Sequence, residues 1–375
     1  MISYTHPEFQ KPVDNNRLNT IDLLRFAAAV LVVFYHYAFR GYAADGMSVM
    51  PYPLLAPIAK YGYLGVDLFF LISGFVVLRS ASSGSLQKFV VSRVARLYPA
   101  FWVCCTLTFL SILAFGGQRY SATIPQYVIN MTMLSGFAGV VSIDGVYWSL
   151  FVEIKFYLMI ALLLLFRQMH RAPLFFVAWL VVTIALDLFP SWRLRSIFIT
   201  DHAPAFIAGA MFYKGWSSGF SRATILTILA AWLVGLHHAL AQLPRLEQHY
   251  GAPFNLYVVA GVITVFHVLI YLVATKRTGV IGKKDWAAIG ALTYPLYLLH
   301  QNIGYMIFNI AYPSMNEHVV LWGTMFLMLA LAYLVNVLVE QRYANSLKNF
   351  LSQALDVWSA RINRRLAARG NLPRS

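Results

Sequence analysis

The sequence predicts an all-α integral membrane protein, a polytopic bundle of about ten transmembrane helices. Hydrophobic residues make up 59% of the chain and charged residues only 11%, and the mean hydropathy is +0.64. Apolar runs long enough to cross about 30 Å of hydrocarbon recur along its whole length. They fall at roughly 21–39, 62–78, 98–115, 147–166, 173–189, 202–213, 223–241, 254–274, 287–310 and 318–339. Charged residues punctuate them. Arg40 closes the first span, and Lys60 and Arg79 flank the second. Arg96 and Arg119 flank the third, Arg167 and Arg171 part the fourth from the fifth, and Arg193 and Arg195 follow the fifth. Lys214 and Arg222 separate the sixth from the seventh, Arg245 follows the seventh, and Lys276 to Lys284 precede the ninth. The sixth run, twelve residues, is short for a bilayer, which suits a tilted, broken or re-entrant segment. Segment 121–137 reads as a further surface or re-entrant helix.

No internal repeat or low-complexity block is visible, and no loop exceeds 31 residues, leaving no room for a second soluble domain. The expected organisation is an N-terminal segment 1–20, a membrane domain 21–343 and a basic tail 344–375. The polar leader is not followed by a small-residue cleavage site, so no cleaved signal peptide is expected. Cys104 and Cys105 are adjacent in an apolar run and report packing, not a disulfide or a metal framework; no metal is expected. The net charge of +15 raises the question of nucleic acid, but its distribution answers against it. With the N-terminus inside, inner loops and tail hold 21 of the 29 Lys and Arg residues and outer loops hold six. That asymmetry predicts both termini in the cytoplasm and an attraction to anionic lipid.

Ionisable groups within the spans carry the functional information. Arg25 and His36 lie eleven residues apart in the first span, nearly three turns, so they share a face about 16 Å apart along the axis. Asp22 shares that face. A pairing of Asp22 with a snorkelling Arg25 at the interface is the structural alternative, whereas His36 lies too deep to snorkel. By the predicted topology His36, Asp67, Glu153 and His300, from four different spans, fall in one layer of the outer half, which points to a pocket. Lys155 faces another side of its helix, where another buried acid would serve as its partner. His237, His238, His249 and His318, at outer span ends, read as solvated, and His267 has no evident partner.

Five local sequences resemble those of the membrane acyltransferase 3 family. They are Arg25 with His36; Tyr63-Leu64-Gly65-Val66-Asp67-Leu68-Phe69-Phe70-Leu71-Ile72-Ser73-Gly74-Phe75; Arg93-Val94-Ala95-Arg96-Leu97-Tyr98-Pro99; Tyr147-Trp148-Ser149-Leu150-Phe151-Val152-Glu153 with Phe156-Tyr157; and Tyr294-Pro295-Leu296-Tyr297-Leu298-Leu299-His300. They occur in order, on the matching spans, from about Asn16 to Tyr343. No fused extracytoplasmic esterase-like domain follows, so a stand-alone member is expected.

The resemblance implies an O-acyltransferase of the bacterial inner membrane that moves an acyl group, usually acetyl, from cytoplasmic acyl-CoA to a carbohydrate hydroxyl. Acetyl-CoA is then the expected donor, and a surface polysaccharide or lipid-linked glycan the expected acceptor. Arg93 and Arg96, with Arg25 at similar depth, suit the coenzyme's phosphates, though ordinary positive-inside anchoring also explains the first two. His36 suits a general base or a transiently acylated nucleophile, with Glu153, Asp67 and His300 as the other catalytic candidates. Tyr147, Trp148 and Tyr297 offer flat faces for sugar rings and equally fit an interfacial aromatic belt. Gly65 and Gly74 suit close helix packing. A secondary transporter or lipid-linked sugar flippase is the alternative from another class, since buried charges and a proline-broken helix at Pro295 fit a transport path.

Overall fold

A computed structural model of the chain describes residues 18–44 and 46–370. The described residues contain helices and connecting turns and no β-strand. The principal helices are α1 Asn19–Tyr35, α2 Gly65–Ala81, α3 Leu86–Phe115, α4 Tyr147–Leu165, α5 Ala172–Leu188 and α6 Ala203–Ser218. They continue with α7 Arg222–Ala241, α8 Leu256–Ala274, α9 Ala287–Ala311, α10 Glu317–Val335 and α11 Gln341–Gly370. Polar side chains define several starts by accepting otherwise unpaired N–H groups of the first turn: Ser85 for α3, Ser221 for α7, Asn255 for α8 and Asn316 for α10.

Eight helical stretches are long and apolar enough to cross a membrane. Each of the ten expected spans has its helix. The two outside that set are α6, with 16 residues, and α9, which is 25 residues long but more polar. The protein is a multi-pass membrane bundle. The third span differs from expectation by starting at Leu86, because the basic Arg93–Arg96 stretch is already helical. Segment 121–137 forms only the short helix Ile124–Asn130, started by a Thr123–Gln126 capping box and followed by turns. The basic tail is entered without a break, since α10 passes through a π-turn at Asn336–Glu340 into α11. Residues 1–17, most of the expected N-terminal segment, lie outside the described residues.

Helix α1 packs between α2 and α9, α9 packs on α3 and α10, and α6 packs on α2 and α7. Glycine makes the α2–α6 contact possible. A Cβ on Gly74 would strike the Phe206 carbonyl, and one on Gly209 the Leu71 carbonyl, so the two backbones touch. Gly65 likewise meets the Ala28 carbonyl of α1, and both glycines singled out in the sequence are packing residues. Gly74→Val should therefore cost about 1–3 kcal/mol of stability. Its thermal midpoint in detergent should drop by several degrees, and an unchanged midpoint would show that α2 and α6 have room to part.

Two prolines sit inside helices, Pro99 in α3 and Pro295 in α9. Each removes a backbone donor and disturbs the preceding turn. Beside them Tyr294 donates its hydroxyl to the Leu97 carbonyl at 3.1 Å, tying α9 to α3 at that level. Helix α1 ends in a π-turn, His36–Arg40, a distortion frequent at functional sites.

Candidate active site

Successive helices alternate in direction. The face where α1 begins is called lower here, and the face where it ends, upper. A cavity of about 1350 Å³ opens among the upper ends of α1, α2 and α4–α8. His36 and Arg40 from the end of α1, Asp67 from α2, Trp148 from α4, and His202 before α6 line it. The Asp67 carboxylate makes no hydrogen bond or ion pair among the described residues.

His36 is 4% exposed and His300 is fully buried. Nδ1 of His300 lies 2.9 Å from the Tyr297 carbonyl and 3.2 Å from that of Leu296, so it carries the proton. Its Nε2 is then a lone pair, 3.1 Å from Nδ1 of His36. That His36 nitrogen also lies 2.8 Å from the Val32 carbonyl, so it is the N–H of His36 and donates to both. The remaining nitrogen of His36, Nε2, is a lone pair with no hydrogen bond among the described residues, on a cavity-lining side chain. The backbone carbonyls thus select the tautomer of each ring in turn, and the result is a proton acceptor on a cavity-lining side chain.

A smaller pocket of about 100 Å³ lies below, lined by Arg25, Ser73, Arg96, Glu153, Tyr157 and Tyr294 among others. Neither Arg25 nor Arg96 makes a hydrogen bond or ion pair among the described residues. Asp22 and Glu153 offset part of the Arg25 charge electrostatically, but a guanidinium within a membrane helix is costly, and two without a hydrogen-bonded partner at one pocket leave N–H donors that can take an anion. Glu153 is already engaged: Oε1 accepts from Ser73 at 2.6 Å and from Tyr157 at 2.7 Å. Val66 and Tyr297 line both the pocket and the upper cavity and stand between them.

The family model described as an acyltransferase domain, that of acyltransferase 3, matches residues 18–338. The chain belongs to that family. Among curated relatives, Nodulation protein 10 of Rhizobium leguminosarum bv. viciae is 32% identical over 215 residues, covering 51% of this chain and 54% of that protein. The O-acetyl transferase of Shigella phage Sf6 is 26% identical over 249 residues, 58% and 69% of the two chains. The O-acetyltransferase OatA of Staphylococcus aureus is 32% identical over 150 residues, 35% of this chain and 24% of that one. The chain thus spans about half the length of the first of these relatives. No solved structure matches it.

On this acyltransferase-family scaffold the residues singled out in the sequence divide between the two spaces. His36 and Asp67 line the upper cavity and the buried His300 stands behind His36, whereas Glu153 does not join them. It sits with Arg25 and Arg96, because six residues along α4 bring it down to the level of Ser73. Arg93 and Arg96 also part company. Arg93 donates to Ser80 Oγ at 3.1 Å and lies over the rings of Phe89 and Tyr157, while Arg96 alone lines the pocket. Trp148 is 41% exposed and faces the cavity, its ring 5.3 Å from that of His202. Tyr297 is buried and bonded to Ser149 Oγ at 2.7 Å.

Three expectations are corrected. Tyr147 turns away from the main cavity, buried against Phe101 and lining a separate space of about 130 Å³, so it offers the cavity no sugar-binding face. Lys155 has no acidic partner among the described residues: its Nζ donates to the Ser196 carbonyl at 2.8 Å and lies over the Phe151 ring. His238 is buried, with Nε2 2.6 Å from Asp187, because Asp187 at the end of α5 reaches α7; Arg195 binds the same carboxylate at 2.9 Å. His237, His249 and His318 are exposed, and His267 bonds the Ile263 carbonyl at 2.9 Å. Sequence reading had assigned no role to Ser73, His202 or Asp144. Isolated polar residues in an apolar helix or a loop give no periodic signal.

Proposed function

We propose that the chain is a membrane-embedded O-acyltransferase that moves an acyl group, acetyl in the first instance, from acyl-CoA to a carbohydrate hydroxyl. One observation carries this reading. Two guanidiniums without hydrogen-bond partners among the described residues, Arg25 and Arg96, line one space, an imidazole lone pair, His36 Nε2, lines another, and the two spaces meet at Val66 and Tyr297. The names of the phage and staphylococcal relatives, both O-acetyltransferases, support acetyl and oxygen as donor group and acceptor atom. The Lys and Arg asymmetry supports a bacterial inner-membrane location with both termini in the cytoplasm, so that the lower pocket faces the acyl-CoA supply.

The chemistry follows from the residues. Arg25 and Arg96 bind coenzyme phosphate by charge-assisted hydrogen bonds, and the slender pantetheine arm spans the roughly 16 Å between Arg25 and His36. His36 Nε2 takes the proton of the attacking hydroxyl as its oxygen bonds to the thioester carbon. The Nδ1 bonds to Val32 and His300 hold the resulting imidazolium in place. Collapse of the tetrahedral species breaks the carbon–sulfur bond, and the imidazolium returns its proton to the departing thiolate. Trp148 and the adjoining His202 present a flat face to a sugar ring.

The test uses full-length protein in nanodiscs, acetyl-CoA labelled in the acetyl group, and glycan fractions from the host envelope. Label should pass to an ester-linked position on a glycan and CoA should be released. Surface glycans of cells lacking the gene should lose an acetyl ester by mass spectrometry. Unchanged glycans, with no acetyl-CoA consumed and no protection of the protein against heat by CoA, would overturn the proposal in favour of a transporter or flippase.

A further inference from the structure

The loop that precedes α4 carries a carboxyl the chemistry above does not use. Asp144 is fully buried. Its Oδ2 accepts from the backbone N–H of Asn302 at 3.0 Å and its Oδ1 from that of Val146 at 3.1 Å. Asn302 answers by donating its side-chain Nδ2 to the Ile143 carbonyl at 2.9 Å. The seam continues along α9: Tyr297 donates to the Val146 carbonyl at 3.3 Å, and Gly145 leaves no room for a Cβ against the Gln301 side chain. On the opposite side Tyr37 donates to the His300 carbonyl at 2.8 Å. Residues 143–149 and 297–302 are therefore joined by hydrogen bonds on both sides of the turn that carries His300.

We infer that Asp144 is a positioning residue of the transfer site: by holding the Tyr297–Asn302 turn of α9 it sets His300, and through His300 the pose of His36. This rests on the reading of His36 as the proton acceptor. A carboxyl with no exposure loses its hydration, so the site keeps it only because both oxygens find backbone donors. Burial pushes Asp144 up to about 7, against the opposing pull of the Asn302 and Val146 N–H groups. Those two donors come from different segments, the loop and α9, so the carboxyl clamps one to the other. His300 lies two residues from the clamped N–H, and its ring supports the Nδ1–H of His36.

Asp144→Asn tests this, because one acceptor oxygen becomes an NH2 group facing a backbone donor. Two readouts on the full-length protein are compared in a cycle with His300→Ala. One is the maximal rate and half-saturating concentration for acetyl-CoA. The other, which needs neither donor nor acceptor, is the rate at which diethyl pyrocarbonate modifies His36, mapped by peptide mass spectrometry. Asp144→Asn should lower the maximal rate about tenfold with the half-saturating concentration within about twofold, and slow His36 modification about threefold. Both losses should vanish when His300 is already Ala, since the carboxyl would act only through that ring. A merely structural clamp would instead give the same loss in both backgrounds, and that result would overturn the inference. So would His36 reactivity unchanged by Asp144→Asn. If Asp144→Asn does not accumulate, Asn302→Ala, which removes only the bond to Ile143, should give a smaller loss with the same dependence on His300. If the wild type turns over no acetyl-CoA, the proposed activity fails, while the His36 reactivity cycle still decides the role of Asp144.

Discussion

Replacing His36 with Ala is expected to lower acyl transfer by about a hundredfold or more, the usual contribution of a general acid–base group. That factor corresponds to about 2.7 kcal/mol of lost transition-state stabilisation. Folding should be nearly untouched. The imidazole lines an open cavity, and its hydrogen bonds run to one backbone carbonyl and to one neighbouring ring. Donor binding should also persist, because Arg25 and Arg96 lie in the other pocket. His300→Ala should cost less, about tenfold, since Val32 alone still holds the His36 N–H. The measurement is the rate at saturating acetyl-CoA, with protein accumulation and CoA-induced thermal protection as controls. If His36→Ala retained more than about a tenth of the wild-type rate, its loss would cost less than about 1.4 kcal/mol. His36 could not then be the base.

How far the site was legible depended on which physical signal each residue leaves in a linear chain. Helical spans are legible because hydrocarbon demands long apolar runs, and the boundaries of α4, α7, α8 and α10 follow the expected ones closely. The start of α3 was not, since hydropathy marks where a helix meets lipid and not where its backbone begins to coil. His36 and His300 were placed together by depth alone, and their rings lie 5.0 Å apart between centroids. Glu153 shows the limit of depth as a guide. Its layer was read from a position along one helix, but its partners Ser73 and Tyr157 lie at the level of the lower pocket. Facing is harder still. Tyr147 and Trp148 are neighbours, yet one packs inward on Phe101 and the other faces the cavity, a distinction set by how α4 is rotated against α3. Asp144 was invisible because a single aspartate before a glycine reads as an ordinary turn until α9 is laid against it.

The pair Arg25 and Arg96 should govern affinity for the donor. Their guanidiniums have no hydrogen-bond or ion-pair partner among the described residues, so each can spend its full charge-assisted capacity on an incoming phosphate. A hydrogen bond to a charged group contributes about 1.5–3 kcal/mol, which is roughly a ten- to 150-fold change in affinity. Arg96→Ala and Arg25→Ala should each raise the half-saturating concentration of acetyl-CoA within that range while leaving the saturated rate much closer to wild type. Arg96→Lys should recover only part of the loss, because an ammonium keeps the charge without the two-pronged geometry. Arg93→Ala is the internal comparison. Its guanidinium already donates to Ser80 and rests on Phe89 and Tyr157, so the variant should change stability more than donor affinity. Calorimetric titration of the purified variants with CoA separates binding from turnover. An Arg25→Ala, Arg96→Ala double variant that bound CoA as tightly as wild type would show that the lower pocket is not the donor site. The coenzyme would then have to reach His36 by another route.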